Sequence, residues 1–253
     1  MYGLKIVPYQ ITLSVNLLKL IIKDLEYLNF LLIGGFMRLM ITLFCLMIAV
    51  TLTPAQNKMH DEDAKISGSG KIPEGWDLRF DHENSKPEDI QFTDTNGNFN
   101  FISGPAAIYF NKKDLTAGNF KSQAEFFQTK ASMHPEAYGI FFGGKELKGK
   151  DQHYYYFLVR QDGKYLIKSR DGSGTAVIVN WTSNKAINAK DKKGQTKNLL
   201  EIEVNNKTVS FLVNGKNVAS LPSSKFKNTD GQVGLRINHN LNVQVNNFTV
   251  NKL

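Results

Sequence analysis

Short runs of aromatic and β-branched residues, separated by turn dipeptides, recur from Trp76 to the end of the chain and constrain its fold more than any other feature. The runs follow one another roughly every 8–12 residues, a spacing typical of an all-β sandwich. Asn96-Gly97 and Asn214-Gly215 are two of the separating pairs, and such pairs tolerate the positive φ of tight hairpin turns. The runs are WDLRF, IQFTD, NFNFI, AAIYFN, FKSQAEFFQ, YGIFFG, YYYFLVR, KYLIKS, TAVIVNW, LLEIEVN, TVSFLVN, VGLRIN and VQVNNFTV.

Alternation within the runs predicts that each strand has one buried face. In LLEIEVN, Leu200, Ile202 and Val204 share one side, and Glu201 and Glu203 share the other. Two packed antiparallel sheets require this pattern. YYYFLVR differs because both of its faces carry bulky side chains. One face has Tyr155, Phe157 and Val159, and the other has Tyr154, Tyr156 and Leu158.

Residues 37–55 have the pattern of a signal peptide. Arg38 supplies the positive start, MITLFCLMIAVTL supplies the apolar core, and Thr53-Pro54-Ala55 supplies a small-residue cleavage site. The apolar run is shorter than the roughly 20 residues of a transmembrane anchor, which is the alternative. We therefore expect cleavage before Gln56, a secreted or periplasmic protein, and no stable membrane insertion after cleavage.

Residues 1–36 carry two further apolar stretches, ITLSVNLLKLII and LNFLLIGGF. A signal peptide does not need this preface, so we interpret 1–36 as an over-extended N-terminal reading frame. A two-helix membrane hairpin is the alternative. Residues 56–73 are polar and contain Gly and Ser, which predicts a flexible lead-in before a β-sandwich domain at 74–253.

Charge and cysteine content limit the partners. The net charge is +8, of which residues 1–55 hold +2. The remaining lysines are scattered, without a basic stripe interleaved with base-stacking aromatics, so no nucleic-acid partner is expected. Weak attraction to acidic polysaccharide or to a membrane surface is compatible with the charge. Cys45 is the only cysteine, which excludes a disulfide or thiolate metal site after residue 55.

Four sequence blocks carry a family resemblance. They are YGIFFGG, YYYFLVRQDGKYLIKSR, NLLEIEVNNKTVSFLVNGKNVAS and DGQVGLRINHNLNVQVNNFTV. In this order they resemble the concanavalin A-like lectin/glucanase superfamily, which includes laminin-G-like modules, family 16 glycoside hydrolases and secreted domains labelled 3-keto-disaccharide hydrolase. The resemblance implies an all-β, antiparallel, jelly-roll-like sandwich of two sheets. It does not fix a function, because this fold hosts lectins, glucanases and adhesion modules.

The catalytic motif of a family 16 glucanase is incomplete. Such a motif reads E-x-D-x-x-E, and retaining hydrolysis needs two carboxyl groups about 5–5.5 Å apart. The nearest match starts at Glu201 and Glu203, but Asn206 stands where the proton donor should be. An amide cannot donate and recover that proton, so no catalytic residue is predicted. Two solvated strand carboxylates are the simpler interpretation.

Two histidine-containing segments are candidate ligand-binding loops. His134 and Glu136 flank Pro135, and Asp151 and His153 lie in KDQHYYY. If the segments meet, two imidazoles and two carboxylates would hold a divalent ion. No HxH or HExxH spacing supports this arrangement, so neither metal nor cofactor is predicted. Hydrogen bonds that fasten two loops are the alternative.

Sugar binding requires exposed aromatic rings and polar groups for the hydroxyls. Tyr154, Tyr156, Arg160 and Trp181 are the candidates, and packing of the rings in the core is the alternative. The resemblance implies that the Tyr155 face of its strand lies between the sheets. Tyr154 and Tyr156 are then expected on the outer, concave surface, exposed to ligand.

Three functions fit these features. A secreted, non-catalytic carbohydrate-binding or scaffolding module with a glycan or polysaccharide partner is favoured. A sugar-active hydrolase or lyase that uses His134, Glu136, Asp151 and His153 is the first alternative. A structural envelope protein without a small ligand is the second.

Overall fold

The computed structural model describes residues 18–26 and 62–253, so the predicted signal peptide at 37–55 lies outside the described residues. The chain divides into two units, Met1–His60 and Asp61–Leu253. In the first unit, residues 18–26 form a helix with exposed side chains. Within the described ranges, no helix has the length and apolar character needed to cross a membrane.

The second unit contains fourteen strands and two short 3-10 helices, Pro87–Asp89 and Ser223–Lys225. The strands are β1 (Trp76–Phe80), β2 (Ile90–Thr95), β3 (Asn98–Ser103), β4 (Ala107–Thr116), β5 (Phe120–Gln128), β6 (Ala137–Lys145), β7 (His153–Arg160), β8 (Lys164–Asp171), β9 (Gly174–Ser183), β10 (Thr196–Val204), β11 (Thr208–Val213), β12 (Lys216–Pro222), β13 (Gly231–Ile237) and β14 (Asn242–Lys252). They form two antiparallel sheets of seven strands. Sheet A has the order β1-β4-β13-β6-β7-β8-β9, and sheet B has the order β12-β11-β10-β5-β14-β3-β2.

The Asn-Gly pairs make the hairpins that the sequence predicts. Asn96 and Gly97 have φ values of 54° and 82°, and Asn214 and Gly215 have φ values of 52° and 73°. Positive φ at both central residues is typical of a type I′ turn, whose twist matches that of the flanking strands. These turns fix the registers of β2 with β3 and of β11 with β12.

The main core lies between the two sheets. β5 shows strict alternation, with Phe120, Ala124 and Phe126 fully buried. Rings from the two sheets meet there: the Phe157 centroid in β7 lies 5.1 Å from that of Phe211 in β11. The two-sheet antiparallel sandwich predicted from the sequence is therefore confirmed.

Backbone amides of the segment before β1 donate hydrogen bonds to the sandwich from residue 64 onward. The Ala64 amide donates to Asn240 Oδ1 at 2.7 Å, and the Gly68 amide donates to the Glu88 carbonyl at 2.7 Å. These bonds attach residues upstream of the predicted boundary at 74 to the folded unit.

Candidate functional site

The outer face of sheet A carries a second apolar cluster, separate from the core between the sheets. It forms because β7 has bulky side chains on both faces, and only one face can meet sheet B. The buried members are Ile108, Phe110, Ala137, Phe141, Leu147, Tyr154, Tyr156, Leu158 and Leu166, and Trp181 packs against them. Tyr155, Phe157 and Val159 belong to the main core. The predicted facing of β7 is therefore correct.

The expectation that Tyr154 and Tyr156 are exposed is wrong. Their exposed fractions are only 2% and 7%. The Phe141 ring lies 5.5 Å from the Tyr154 ring, and the Arg236 guanidinium lies 5.9 Å from the centre of the Tyr156 ring. Phe141 from the preceding strand β6 and Arg236 from the distant strand β13 thus cover these rings. Burial raises the pKa of Tyr156 to about 12, so its hydroxyl keeps its proton at neutral pH.

A cleft of about 290 Å³ opens above this cluster. Its lining combines aromatic and aliphatic side chains with charged groups from three segments of the chain. The lining residues are Asp81, Tyr154, Tyr156, Leu158, Leu166, Lys168, Arg170, Thr175, Trp181, Arg236 and Asn238. The exposed lining is mainly polar, above a base of buried rings and aliphatic side chains, which suits a polar ligand.

A buried ion pair fixes one wall of the cleft. Arg236 Nη1 and Nη2 donate to the two carboxylate oxygens of Asp81 at 2.6 and 2.5 Å, and Arg236 Nε donates to Asn238 Oδ1 at 3.1 Å. Burial acts to raise the pKa of Asp81, but the Arg236 charge and hydrogen bonds outweigh it and hold that pKa below its usual value. For Arg236, burial acts to lower the pKa, yet the Asp81 charge raises it overall. The pair is charged at neutral pH and rigid.

Lys168 and Arg170 supply the opposite wall from β8. Lys168 lies in register with Tyr156, and Arg170 with Tyr154. Arg170 Nε donates to the Gly172 carbonyl at 2.8 Å. Burial first, and then the charges of Arg236 and Arg170, lower the pKa of Lys168. Two half-buried cations therefore stand beside the aromatic floor.

Two of the predicted ligand residues, Arg160 and Trp181, lie side by side at one end of the cleft. The Arg160 guanidinium carbon lies 4.2 Å from the centre of the Trp181 ring, a cation–π distance. Arg160 Nε and Nη2 donate to the Asp162 carboxylate at 2.7 and 2.8 Å. The ion pair with Asp162 holds the guanidinium against the indole.

A chain of polar contacts leads from the cleft to the lead-in. Asn238 Nδ2 donates to Glu136 Oε2 at 3.2 Å. Glu136 Oε1 lies 3.0 Å from His239 Nε2, and His239 Nδ1 lies 3.1 Å from Asp63 Oδ1. The predicted ligand residue Glu136 thus positions Asn238 at the edge of the cleft, and His134, two residues away, accepts from Ser132 Oγ through its carbonyl.

Asp151 and His153 lie at the opposite end of β7. In the β6–β7 pair, Ala137 is opposite Arg160 and Lys145 is opposite His153. The His134 loop and the Asp151 loop are therefore separated by the length of the strands, roughly 25 Å at about 3.3 Å per residue. The structure does not bring these two loops together. Within residues 18–26 and 62–253, no group of His, Cys, Asp and Glu side chains could hold a metal ion.

The glucanase-like carboxylates lie on sheet B, away from the cleft. Lys121 Nζ lies 2.6 Å from Glu201 Oε1 and 3.3 Å from Glu203 Oε1. Glu201 is buried rather than solvated, because the β5 lysine covers it. One lysine thus forms an ion pair with both carboxylates.

Asp81, Arg170 and Arg236 are cleft residues that were not predicted from the sequence. One signal was available for Arg236, since alternation in VGLRIN places it on the face opposite Val233 and Leu235. Its proximity to β7 depends on the strand order β13-β6-β7, which no local pattern encodes.

Two solved structures share the sandwich fold of this chain. The carbohydrate-binding module CBM66 from Bacillus subtilis is 13% identical with a TM-score of 0.53, over 74% of this chain and 99% of the module. A Bacillus subtilis protein of unknown function with a galectin-like fold is 10% identical with a TM-score of 0.50, over 70% of this chain and 89% of that one. At these identities the likeness shows the fold alone. No curated protein matches the sequence.

The family assignment comes from a different comparison. The family model that matches covers residues 66–251, which include all fourteen strands apart from the last residue of β14. Its start at residue 66 agrees with the hydrogen bonds that attach the lead-in from residue 64. The chain therefore belongs to the family of 3-keto-alpha-glucoside-1,2-lyase-like domains.

Proposed function

We propose that the sandwich is a carbohydrate-binding domain whose site is the cleft on the outer face of sheet A. One observation carries the proposal: the half-buried Trp181 ring shares a single cleft with the charged donors of Lys168 and Arg170. Aromatic rings suit the apolar faces of sugars, and cationic donors suit their oxygen atoms. The likeness in fold to a carbohydrate-binding module supports this reading.

A second groove is less suited to sugar. It has a volume of about 570 Å³ and lies between the lead-in and the end of the sandwich. Ile66, Ile102, Met133 and Leu241 make much of its lining, and the exposed fraction of Met133 is 83%. No aromatic ring lines it, so a sugar would lack a stacking surface there.

Binding to a glycan array, followed by calorimetry on the best ligands, tests the proposal. Trp181→Ala should weaken binding by about tenfold or more, since 1.4 kcal/mol corresponds to a factor of ten. Leu115→Ala is the matched control, because Leu115 is 65% exposed and lies outside the cleft. Equal affinity of Trp181→Ala and the parent protein would place the sugar elsewhere.

We further propose that the domain acts outside the cytoplasm, in a secreted or periplasmic setting. The signal-like pattern at 37–55 supports this. N-terminal sequencing of the exported protein should give a mature end near Gln56. A mature end upstream of Met37 would contradict both export by this signal and the over-extended reading frame.

A second candidate function is elimination on a keto sugar, which the family description names and Lys168 favours. A base removes the proton from the carbon beside the ketone, that electron pair forms a carbon–carbon double bond, and the glycosidic carbon–oxygen bond breaks. Lys168 suits the role of base, because its lowered pKa leaves more of the free amine near neutral pH. Tyr156, in register with Lys168, holds a proton that the departing oxygen would take.

Exchange of the proton beside the ketone into deuterated water, followed by NMR on a 3-keto-α-glucoside, separates the two functions. A lyase exchanges or loses this proton, and Lys168→Met should abolish the signal, whereas Lys216→Met should not change it. A parent protein that binds the keto sugar without exchange is a binding domain only.

A further inference from the structure

The cationic groups of the cleft are not balanced by carboxylates. Asp81 is its one lining carboxylate, and both of its oxygens are used by Arg236. Within the described ranges, neither Lys168 nor Arg170 forms an ion pair with any side chain. The three cations of the lining, Lys168, Arg170 and Arg236, therefore exceed its one carboxylate by two positive charges.

Some other cations on the strand faces of this domain have carboxylate partners, and the half-buried Arg79 instead donates to the Leu147 and Gly149 carbonyls. Lys121 contacts Glu201 and Glu203, and Lys197 Nζ lies 3.0 Å from Glu125 Oε1. Lys168 is half-buried like Lys121 but has no such partner. An unpaired, partly desolvated cation destabilises a fold, and like charges beside it add to that cost. The cost of the unpaired Lys168 is offset if an anionic ligand supplies its counter-charge.

Lys168 and Arg170 are also placed so that both can contact one ligand. They are two residues apart on β8, so their side chains leave the same face roughly 7 Å apart. The hydrogen bond from Arg170 Nε to Gly172 fixes the plane of its guanidinium and leaves the terminal nitrogens for a ligand. A planar carboxylate or a sulfate oxygen pair suits those nitrogens.

We propose that the sugar bound in this cleft is anionic, and that Lys168 and Arg170 bind its carboxylate or sulfate group while Trp181 contacts the ring. This inference rests on the proposed carbohydrate-binding function and narrows it to one substrate class. Anion binding is assigned to Lys168 and Arg170 rather than to Arg236, because Asp81 already balances the Arg236 charge and three of its donors are bonded to Asp81 and Asn238. Its role is to hold the cleft wall.

Calorimetry with matched glycan pairs tests the inference. Oligogalacturonate and its methyl ester share one sugar backbone and differ in whether each carboxyl group is charged or methylated, and dextran sulfate and dextran differ only in sulfation. We expect the acidic member of one pair to bind at least about tenfold more tightly than its neutral counterpart. The pair that shows the difference identifies a uronate or a sulfated sugar as the source of the anion.

Variants separate a built site from general attraction to a basic protein. Lys168→Met and Arg170→Gln should each weaken binding of the acidic glycan by about tenfold. Lys216→Met, which removes an exposed lysine on β12 of sheet B, should leave it unchanged. Removing Lys168 also removes repulsion from Arg170 and Arg236, so this variant should unfold at the same urea concentration as the parent or a higher one.

Each outcome decides a different point. Neutral glycans that bind as well as acidic ones, with loss in Trp181→Ala, would overturn the anionic class and leave the sugar site standing. Acidic binding that Lys168→Met and Arg170→Gln do not weaken would show general attraction to the protein's net positive charge and also overturn the inference. Failure of every neutral and acidic glycan to bind would overturn the proposed function itself.

Discussion

Breaking the Asp81–Arg236 pair should destabilise the sandwich strongly. Arg236 has a side-chain exposure of 9% and Asp81 one of 26%. Asp81→Ala leaves a buried guanidinium without its counter-ion, a change that typically costs about 3–5 kcal/mol. Because water reaches part of the Asp81 site, we expect the lower end, about 3 kcal/mol. For a domain of this size, that corresponds to a fall in melting temperature of roughly 6–12 °C.

A double-mutant cycle measured by urea unfolding tests this reasoning. Arg236→Met removes the cation that needs the pair, so the double variant Asp81→Ala/Arg236→Met should lie within about 1 kcal/mol of the parent. The exposed pair Lys197–Glu125 is the control, and Glu125→Ala should cost less than about 1 kcal/mol. If the double variant loses as much free energy of unfolding as the two single variants together, Asp81 and Arg236 do not stabilise the fold through their interaction.

The same pair predicts a dependence on pH. The folded-state pKa of Asp81 is lower than its unfolded value, although burial alone would raise it, because Arg236 stabilises the carboxylate. Its contribution is therefore fully present above the unfolded pKa, about 3.9, and is lost as pH falls through the folded value. Asp81→Asn should be less stable than the parent at pH 6, and the difference should shrink below about pH 4.

Two further outcomes follow from the core. Phe157→Ala should cost about 3–5 kcal/mol by urea unfolding, since its ring is fully buried against Phe211, whereas Val177→Ala, at a site 56% exposed, should change stability by less than about 0.5 kcal/mol. His153 has a pKa lowered mainly by burial, so the unfolded chain binds its proton more readily, and stability should fall as pH drops below about 6.5. In His153→Gln that fall should be smaller, and an unchanged pH profile would contradict the buried, neutral state of the ring.

Local patterns predicted the strands well because most have one apolar face. β12 is the strand that no predicted run covers. It is an edge strand with mostly exposed or half-buried residues, and only Val218, Ala219 and Leu221 pack against the core. Its position follows from the Asn214-Gly215 turn, which folds it back on β11. For a strand that buries little apolar surface, the turn sequence predicts the strand and the hydrophobic pattern does not.

The candidate site was harder to predict because its residues meet through strand order. Arg160 and Trp181 come together through the β7-β8-β9 hairpins, which link neighbours along the chain. Asp81 and Arg236 are far apart in sequence and meet only because β4 lies between β1 and β13. His134 and His153 stay apart for a different reason: they lie at opposite ends of the β6–β7 pair, so the length of the strands separates them.

The burial of Tyr156 determines which variant can reveal ligand binding. Alternation gives the face of a side chain but not what lies above it, and here Arg236, from a strand two positions away in the sheet, covers the ring. Truncating Tyr156 would remove packing and unsettle the Asp81–Arg236 wall, so loss of stability and loss of binding would come together. For Lys168, a loss of binding need not come with a loss of stability. Its side chain is half-buried and has no ion-pair partner in residues 62–253, and burial and the charges of Arg236 and Arg170 disfavour its charged form. A binding defect in Lys168→Met, with stability kept or raised, can therefore be assigned to the cleft itself.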